Sequence, residues 1–265
     1  MKNSSLRFRR AHEAFTIIEL LVVISIIGIL AALLLPALSG ASKTAKVRKA
    51  QTEEAQLVQA IQSYYSTYSR YPVSSNAMYF ATQAQEDFTY GTTGLTNYTG
   101  TAIKNPVSVG YDLDNAEVIA ILMDLQTYQD ASATPTVNAG HVKNPQQIKF
   151  LDAKMSGTTI LPGVGTDLVY RDPWGNPYII SMDLNYDGKC RDAIYRQQAI
   201  AQQTPGNPSG FNGLFNSTAT DPGGNGDHYE FNGGVMVWSS GPDGKFDNTV
   251  KANALVNQDN VLSWK

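Results

Sequence analysis

The sequence predicts an α+β chain with a long N-terminal helical spine, the first half of which is apolar enough to cross a bilayer. The spine carries a head built on a small antiparallel β-sheet with large loop insertions. Three observations point there. Residues Phe15 to Leu35, FTIIELLVVISIIGILAALLL, form one apolar block with a single charge, Glu19. Helical spacing resumes after Pro36 and lasts to Tyr68. Short β-branched and aromatic runs then recur between Gly-, Asn- and Pro-rich segments.

Composition narrows the function classes. The chain has 265 residues, 42% of them hydrophobic, enough for the core of one or two domains. A formal charge of −3 lacks the basic surplus of a nucleic-acid binder. Cys190 is the sole cysteine, which excludes a disulfide framework and a multi-cysteine metal cluster.

Residues 1–14, MKNSSLRFRRAHEA, are polar and carry Lys2, Arg7, Arg9 and Arg10. Residues 15–36 follow as a transmembrane and assembly helix. As a helix the apolar block is roughly 31 Å long, the thickness of a bilayer's hydrocarbon core. The apolar region of a cleaved signal peptide is shorter, about 7–15 residues. Basic residues flank both ends, with Lys43, Lys46, Arg48 and Lys49 on the far side, so charge alone leaves the orientation open. Glu19 is the anomaly, because a carboxylate within a bilayer costs roughly 2.5–3.5 kcal/mol. The block holds no Lys, Arg or His. Two readings stand: Glu19 reaches headgroups at the interface, or it meets a cation from another molecule.

Residues 37–71 read as an amphipathic continuation. Val47, Leu57, Ile61, Tyr64 or Tyr65, and Tyr68 recur at three- and four-residue steps. Lys43, Thr44, Lys46, Arg48, Lys49, Glu53 and Glu54 are expected on the other faces, and Tyr71-Pro72 stops the helix. Gly28 and Pro36 are where it should bend or loosen.

The head spans 72–265. Residues 73–110 read as a surface excursion. Asp114 or Asn115 caps a short helix bearing Val118, Ile119, Ile121, Leu122 and Leu125. Residues 131–145 are read as a loop. Leu168–Arg171 and Tyr178–Ser181 read as strands around the turn Asp172-Pro173-Trp174-Gly175-Asn176-Pro177, and Gly234–Ser239 as a third. Between them, 204–227 reads as a loop.

Asp183-Leu184-Asn185-Tyr186-Asp187-Gly188 fits D-x-N-x-D-G, the start of an EF-hand-like calcium loop. Asp183, Asn185 and Asp187 are the candidate ligands. The closing Glu is replaced by Ile194, with Asp192 a substitute from another direction. Asp, Asn and Gly also simply make turns, and both readings stay open. Hard oxygen donors suit Ca²⁺ rather than zinc.

No enzyme is expected. Beyond residue 14 only His141 and His228 remain, in no hydrolase motif, and no phosphate loop or dinucleotide fingerprint occurs. Cys190 reads as a small buried residue, and Trp174 and Trp238 as packing groups rather than a sugar platform.

The basic leader followed by F-T-x-I-E-L-L-V-V-I-x-I-I-G-I-L-A-A-x-L-L-P resembles the N-terminal signature of the type IV pilin superfamily, which includes type II secretion pseudopilins. The resemblance implies a type IV pilin-like fold. It also implies cleavage by a prepilin peptidase between Ala14 and Phe15, on the cytoplasmic side, with methylation of the new amine. The family normally has Gly where this chain has Ala14. Glu19 then stands fifth in the mature chain and Pro36 twenty-second. In the family that Glu meets the N-terminal amine of a neighbouring subunit, which would set register. Glu19, Gly28 and Pro36 are thus the expected assembly residues.

Asp172 to Tyr178, DPWGNPY, with Ser239 to Lys245, SSGPDGK, is similar to the C-terminal pattern of the major pseudopilin of type II secretion. That resemblance implies a Ca²⁺ loop, with side chains from Asp243, Asp247 and Asp259 and carbonyls from Ser240 and Lys245. The family's longer Gly- and acid-rich stretch is missing here. The implied protein is a pseudopilin of the bacterial inner membrane with its head in the periplasm. It assembles with copies of itself and with other pseudopilins on an inner-membrane platform, and it binds no nucleic acid. The alternatives are a surface pilin used in adhesion, and a membrane-anchored or secreted binding or hydrolase protein.

Overall fold

A computed structural model describes residues 16–94, 96–97, 99–102, 112–218 and 226–265, without the side chains at 34–37 and 39. The leader, the Ala14–Phe15 junction and the Pro36 side chain therefore lie outside the described residues. Helix α1, Ile17–Tyr68, starts two residues after the expected 15 and ends where the helical spacing ends, three residues before 71. It is uninterrupted through Gly28 and position 36, so the expected loosening leaves no break in the helix. The chain divides into two compact units, one up to Ala45 and one from Lys46 to Lys265.

In the first unit the large apolar side chains of α1 face outwards: Ile17 is 85% exposed and Ile29 63%. Among the described residues, no helix is long and apolar enough to cross a membrane. The described side chains of the apolar block run only from Thr16 to Leu33, since Phe15, Leu34 and Leu35 fall outside them.

The second unit is built on a four-stranded antiparallel sheet of β1 (Phe88–Tyr90), β4 (Ile179–Met182), β5 (Val235–Ser239) and β6 (Val261–Leu262), paired in that order. A separate two-stranded sheet pairs β2 (Gly163–Val164) with β3 (Tyr170–Arg171). Alternation along the main strands sends side chains to two cores. Phe88, Tyr90, Ile180, Met182, Val235 and Val237 join Leu57, Ile61 and Tyr64 of α1 and the short helix α3 (Ala116–Leu122). Ile179, Met236, Trp238 and Leu262 face Cys190, Ile194, Tyr195, Ile200, Tyr229 and Phe246 instead. The insertion after residue 189 thus covers the face of the sheet opposite α1, which is why β4 and β5 are buried along their whole length.

Several expectations are corrected. Residues 73–110 are not only a surface excursion, because they contain α2 (Ser75–Ala84) and the edge strand β1. The runs flanking Asp172–Pro177 do not form one ladder, since β3 pairs with β2 while β4 lies between β1 and β5. They do keep a hairpin-like turn, with the Tyr178 N–H donating to the Tyr170 carbonyl at 3.0 Å. At the start of α3 it is Asp114 that accepts the Ala116 N–H, at 3.0 Å. Asn115 turns inwards, donating to the carbonyls of Tyr170 and Tyr178 and accepting the Tyr170 N–H.

Candidate assembly helix and metal-binding loops

The first turn of α1 holds Glu19 in a reciprocal cap. Its Oε2 accepts the Thr16 N–H at 2.9 Å and the Thr16 hydroxyl at 2.7 Å, and the Glu19 N–H donates to Thr16 Oγ1 at 3.3 Å. This capping box satisfies donors that a helix start leaves open. The carboxylate therefore has a partner inside its own helix. A search of the sequence for cations misses it, although the T-x-x-E spacing is legible. A Cβ added at Gly28 would meet nothing within 4 Å among the described residues.

The D-x-N-x-D-G segment closes on itself. Asp183 accepts the N–H groups of Asp187 at 3.2 Å and Gly188 at 2.9 Å, and Asn185 Oδ1 accepts the Asp187 N–H at 3.1 Å. Left-handed backbone at Tyr186 (φ 60°) and Gly188 (φ 83°) makes the sharp turn. A residue that the motif does not contain braces the loop: buried Asp87 accepts the N–H groups of Leu184 at 3.2 Å and Arg191 at 2.7 Å. Burial, with the Asp183 and Asp187 charges added, pushes the Asp87 carboxyl up to about 7, against the Arg191 N–H that lowers it. Burial likewise raises Asp183. Asp192 is not a closing ligand. It is fully buried and bonded to Ser181, the Trp238 indole N–H and the N–H groups of Ile194 and Tyr195.

The two C-terminal motifs meet. Asp172 accepts the Ser239 hydroxyl together with the N–H groups of Trp174 at 2.8 Å and Asn176 at 2.9 Å. Asn176 donates to the Gly241 carbonyl at 3.2 Å, and the Gly241 N–H donates to Ser239 Oγ at 3.0 Å. Gly241 also lies against the C-terminal segment, where a Cβ would sit 2.3 Å from the Asp259 carbonyl oxygen. The candidate ligands around this junction are spread out. Asp243 is exposed and takes the Lys245 N–H, Asp247 takes the N–H and hydroxyl of Thr249, and Ser240 is buried. Among the described residues, no group of three or more His, Cys, Asp or Glu is arranged to hold a metal ion.

Glu54 departs from its expected position on a polar face. Ala50, Glu54, Leu57, Ile61 and Tyr64 form one buried stripe of α1, and the Glu54 side chain is wholly covered. Neither of its oxygens has a hydrogen-bond partner among the described residues. Burial first, then the charges of Asp172 and Glu53, push its carboxyl up to about 9. The three-residue step from Glu54 to Leu57 is the signal that places it on the core face.

Residues 9–35 match the prokaryotic N-terminal methylation motif. No curated protein matches the chain, and no solved structure matches it. The matched segment takes in the basic end of the leader, the Ala14–Phe15 junction, the Thr16–Glu19 cap and the apolar block. That motif marks the chain as a prepilin peptidase substrate and supports its placement among the type IV pilin-like proteins.

Proposed function

We propose that this chain is a pseudopilin. It is stored in the inner membrane through its apolar helix and drawn into a short periplasmic filament that drives protein export. Its work is assembly rather than turnover. The methylation motif, with Glu19 fifth after the Ala14–Phe15 junction, carries this reading. The outward-facing apolar side chains of α1 support it, since an all-apolar helix surface calls for lipid or neighbouring helices. The junction of DPWGNPY with SSGPDGK through Asp172–Ser239 and Asn176–Gly241 supports the secretion branch. In this reading Phe15 carries the methylated amine, Glu19 leaves its cap to meet the amine of a neighbouring copy, and Gly28 and Pro36 accommodate helix packing. The Asp183–Gly188 loop holds Ca²⁺ through Asp183, Asn185 and Asp187 and clamps the head.

The test is the mature N-terminus, read by mass spectrometry of the purified membrane fraction. A chain beginning at methylated Phe15 is expected. A chain beginning near Ser42 would mean a released head and would overturn the proposal. The second reading, a surface pilin, is favoured by the large insertions in the head. Deleting the gene separates the two, because loss of secreted proteins indicates the pseudopilin and loss of surface attachment indicates the pilin.

A further inference from the structure

Between the end of α1 and the start of α2, Arg70, Lys143, Ser74 and Ser75 line one cavity of about 200 Å³, with Tyr71 and Met78 in its wall. The two cations lie side by side. Arg70 donates from Nη2 to the Lys143 carbonyl at 3.1 Å, and its guanidinium stands 5.7 Å from the centre of the Tyr68 ring. The Lys143 ammonium donates to Ser75 Oγ at 3.2 Å. None of these contacts supplies a negative charge.

A cation drawn out of water usually gains an acid, because an unpaired charge is costly to desolvate. Arg171, Lys189, Arg191 and Arg196 follow that rule, each half-buried and each paired with a carboxylate. Arg70 and Lys143 are also half-buried, and among the described residues neither belongs to an ion pair. Glu117, the acid whose charge bears on Lys143, engages Ser74 and the Tyr90 hydroxyl and does not line the cavity. Burial and the Arg70 charge both push the Lys143 ammonium below its usual range. Two cations held together around a cavity with no acid in its wall favour an anion there.

The donors select the kind of anion. A guanidinium presents a planar fork that matches two oxygens of one oxyanion, and an ammonium carries further donors beside the one on Ser75. Ser75 Oγ accepts from Lys143, which leaves its own hydrogen to give. The Ser74 hydroxyl oxygen is already used, accepting the Ala77 N–H at 3.1 Å. Three donor groups on one cavity suit an anion with more oxygens than a carboxylate has.

We propose that this cavity binds a tetrahedral oxyanion of the phosphate or sulfate class through the Arg70 guanidinium, the Lys143 ammonium and the Ser75 hydroxyl. The anion, free or as the end group of an ester, ties the end of α1 to α2 and to the loop that carries Lys143. The site shares no residue with either calcium loop, and it does not depend on the secretion role.

Isothermal titration calorimetry on the full-length chain in detergent tests it, with inorganic phosphate, inorganic sulfate and glycerol phosphate as probes. Chelator in the buffer keeps metal out of the Asp183–Gly188 loop, and sodium chloride screens loose surface binding. Wild type is expected to take up one oxyanion per chain, saturably. Tighter binding of glycerol phosphate makes an ester the ligand, and tighter binding of the inorganic ions makes it the free anion. Lys143→Met keeps the apolar stem and should weaken binding about tenfold or more. Adding Arg70→Gln should abolish it. Lys46→Gln, on an exposed face of α1, should leave binding unchanged. A wild type that binds none of the probes, binding unaltered by Lys143→Met, or binding removed by Lys46→Gln overturns the proposal. Circular dichroism of each variant separates loss of ligand from loss of fold, and Lys143→Met decides should the Arg70 change unfold the head.

Discussion

Asn176 donates its side-chain amide to the carbonyl of Gly241, 65 residues further along the chain, at 3.2 Å. With the Ser239 hydroxyl on Asp172 it joins the turn before β4 to the loop after β5. Asp172 and Ser239 are both buried, and losing the Ser239 hydroxyl takes a donor from Asp172 and the side-chain acceptor from the Gly241 N–H. Ser239→Ala is expected to lower the stability of the head by about 1–3 kcal/mol, read as a shift in the urea midpoint. An unchanged midpoint would mean that the junction is incidental.

The Thr16–Glu19 cap and the proposed assembly role of Glu19 separate by mutation. Thr16→Val removes the hydroxyl and should cost about 0.5–2 kcal/mol of local helix stability, seen as faster amide exchange in the first turn of α1. It leaves the Glu19 charge in place, so filament incorporation should persist. Glu19→Ala should abolish incorporation. Equal incorporation by Glu19→Ala and wild type would remove Glu19 from assembly.

Glu54 gives the head a pH dependence with a defined sign. Its carboxyl is raised from 4.5 to about 9 in the folded state. Between those values the folded chain holds a proton that the unfolded chain has released, so stability falls as pH rises through the window. Asp87, raised from 3.8 to about 7, adds a slope of the same sign at the acidic end. Denaturant midpoints measured in chelator should decline from mildly acidic to alkaline pH. Glu54→Gln should flatten most of that decline.

Asn115 makes three buried hydrogen bonds, to the carbonyls of Tyr170 and Tyr178 and from the Tyr170 N–H. It ties α3 to both strands beside the Asp172 turn. Asn115→Ala removes three buried bonds, with the Tyr170 carbonyl keeping the Tyr178 N–H, and should cost on the order of 3 kcal/mol, measured by chemical denaturation.

The Cys190 thiol is fully buried, and burial with the nearby acids Asp87, Asp192 and Asp183 holds it well above its usual range. A thiol reagent should leave the native chain unmodified and label it fully in denaturant. Rapid labelling of the native chain would place Cys190 outside the second core.

By itself the sequence determined whatever depends on local periodicity and chemistry. The apolar block, the methylation motif around Ala14–Phe15, the bounds of α1, the D-x-N-x-D-G turn and the strand Val235–Ser239 were all legible in residues close together in the chain. Tertiary structure decided what depends on non-local pairing. Strand β1 sits in a segment rich in turn residues and is a strand because β4 offers it a ladder. Asp87 braces a loop about a hundred residues away, and Asp172 finds Ser239 only once the sheet has formed. Glu54 shows the difference most clearly. Its spacing placed it on the stripe of Leu57 and Ile61, while its charge argued for water. The packing of the head against α1 closed that helix face, leaving a carboxyl where helical periodicity, not polarity, put it.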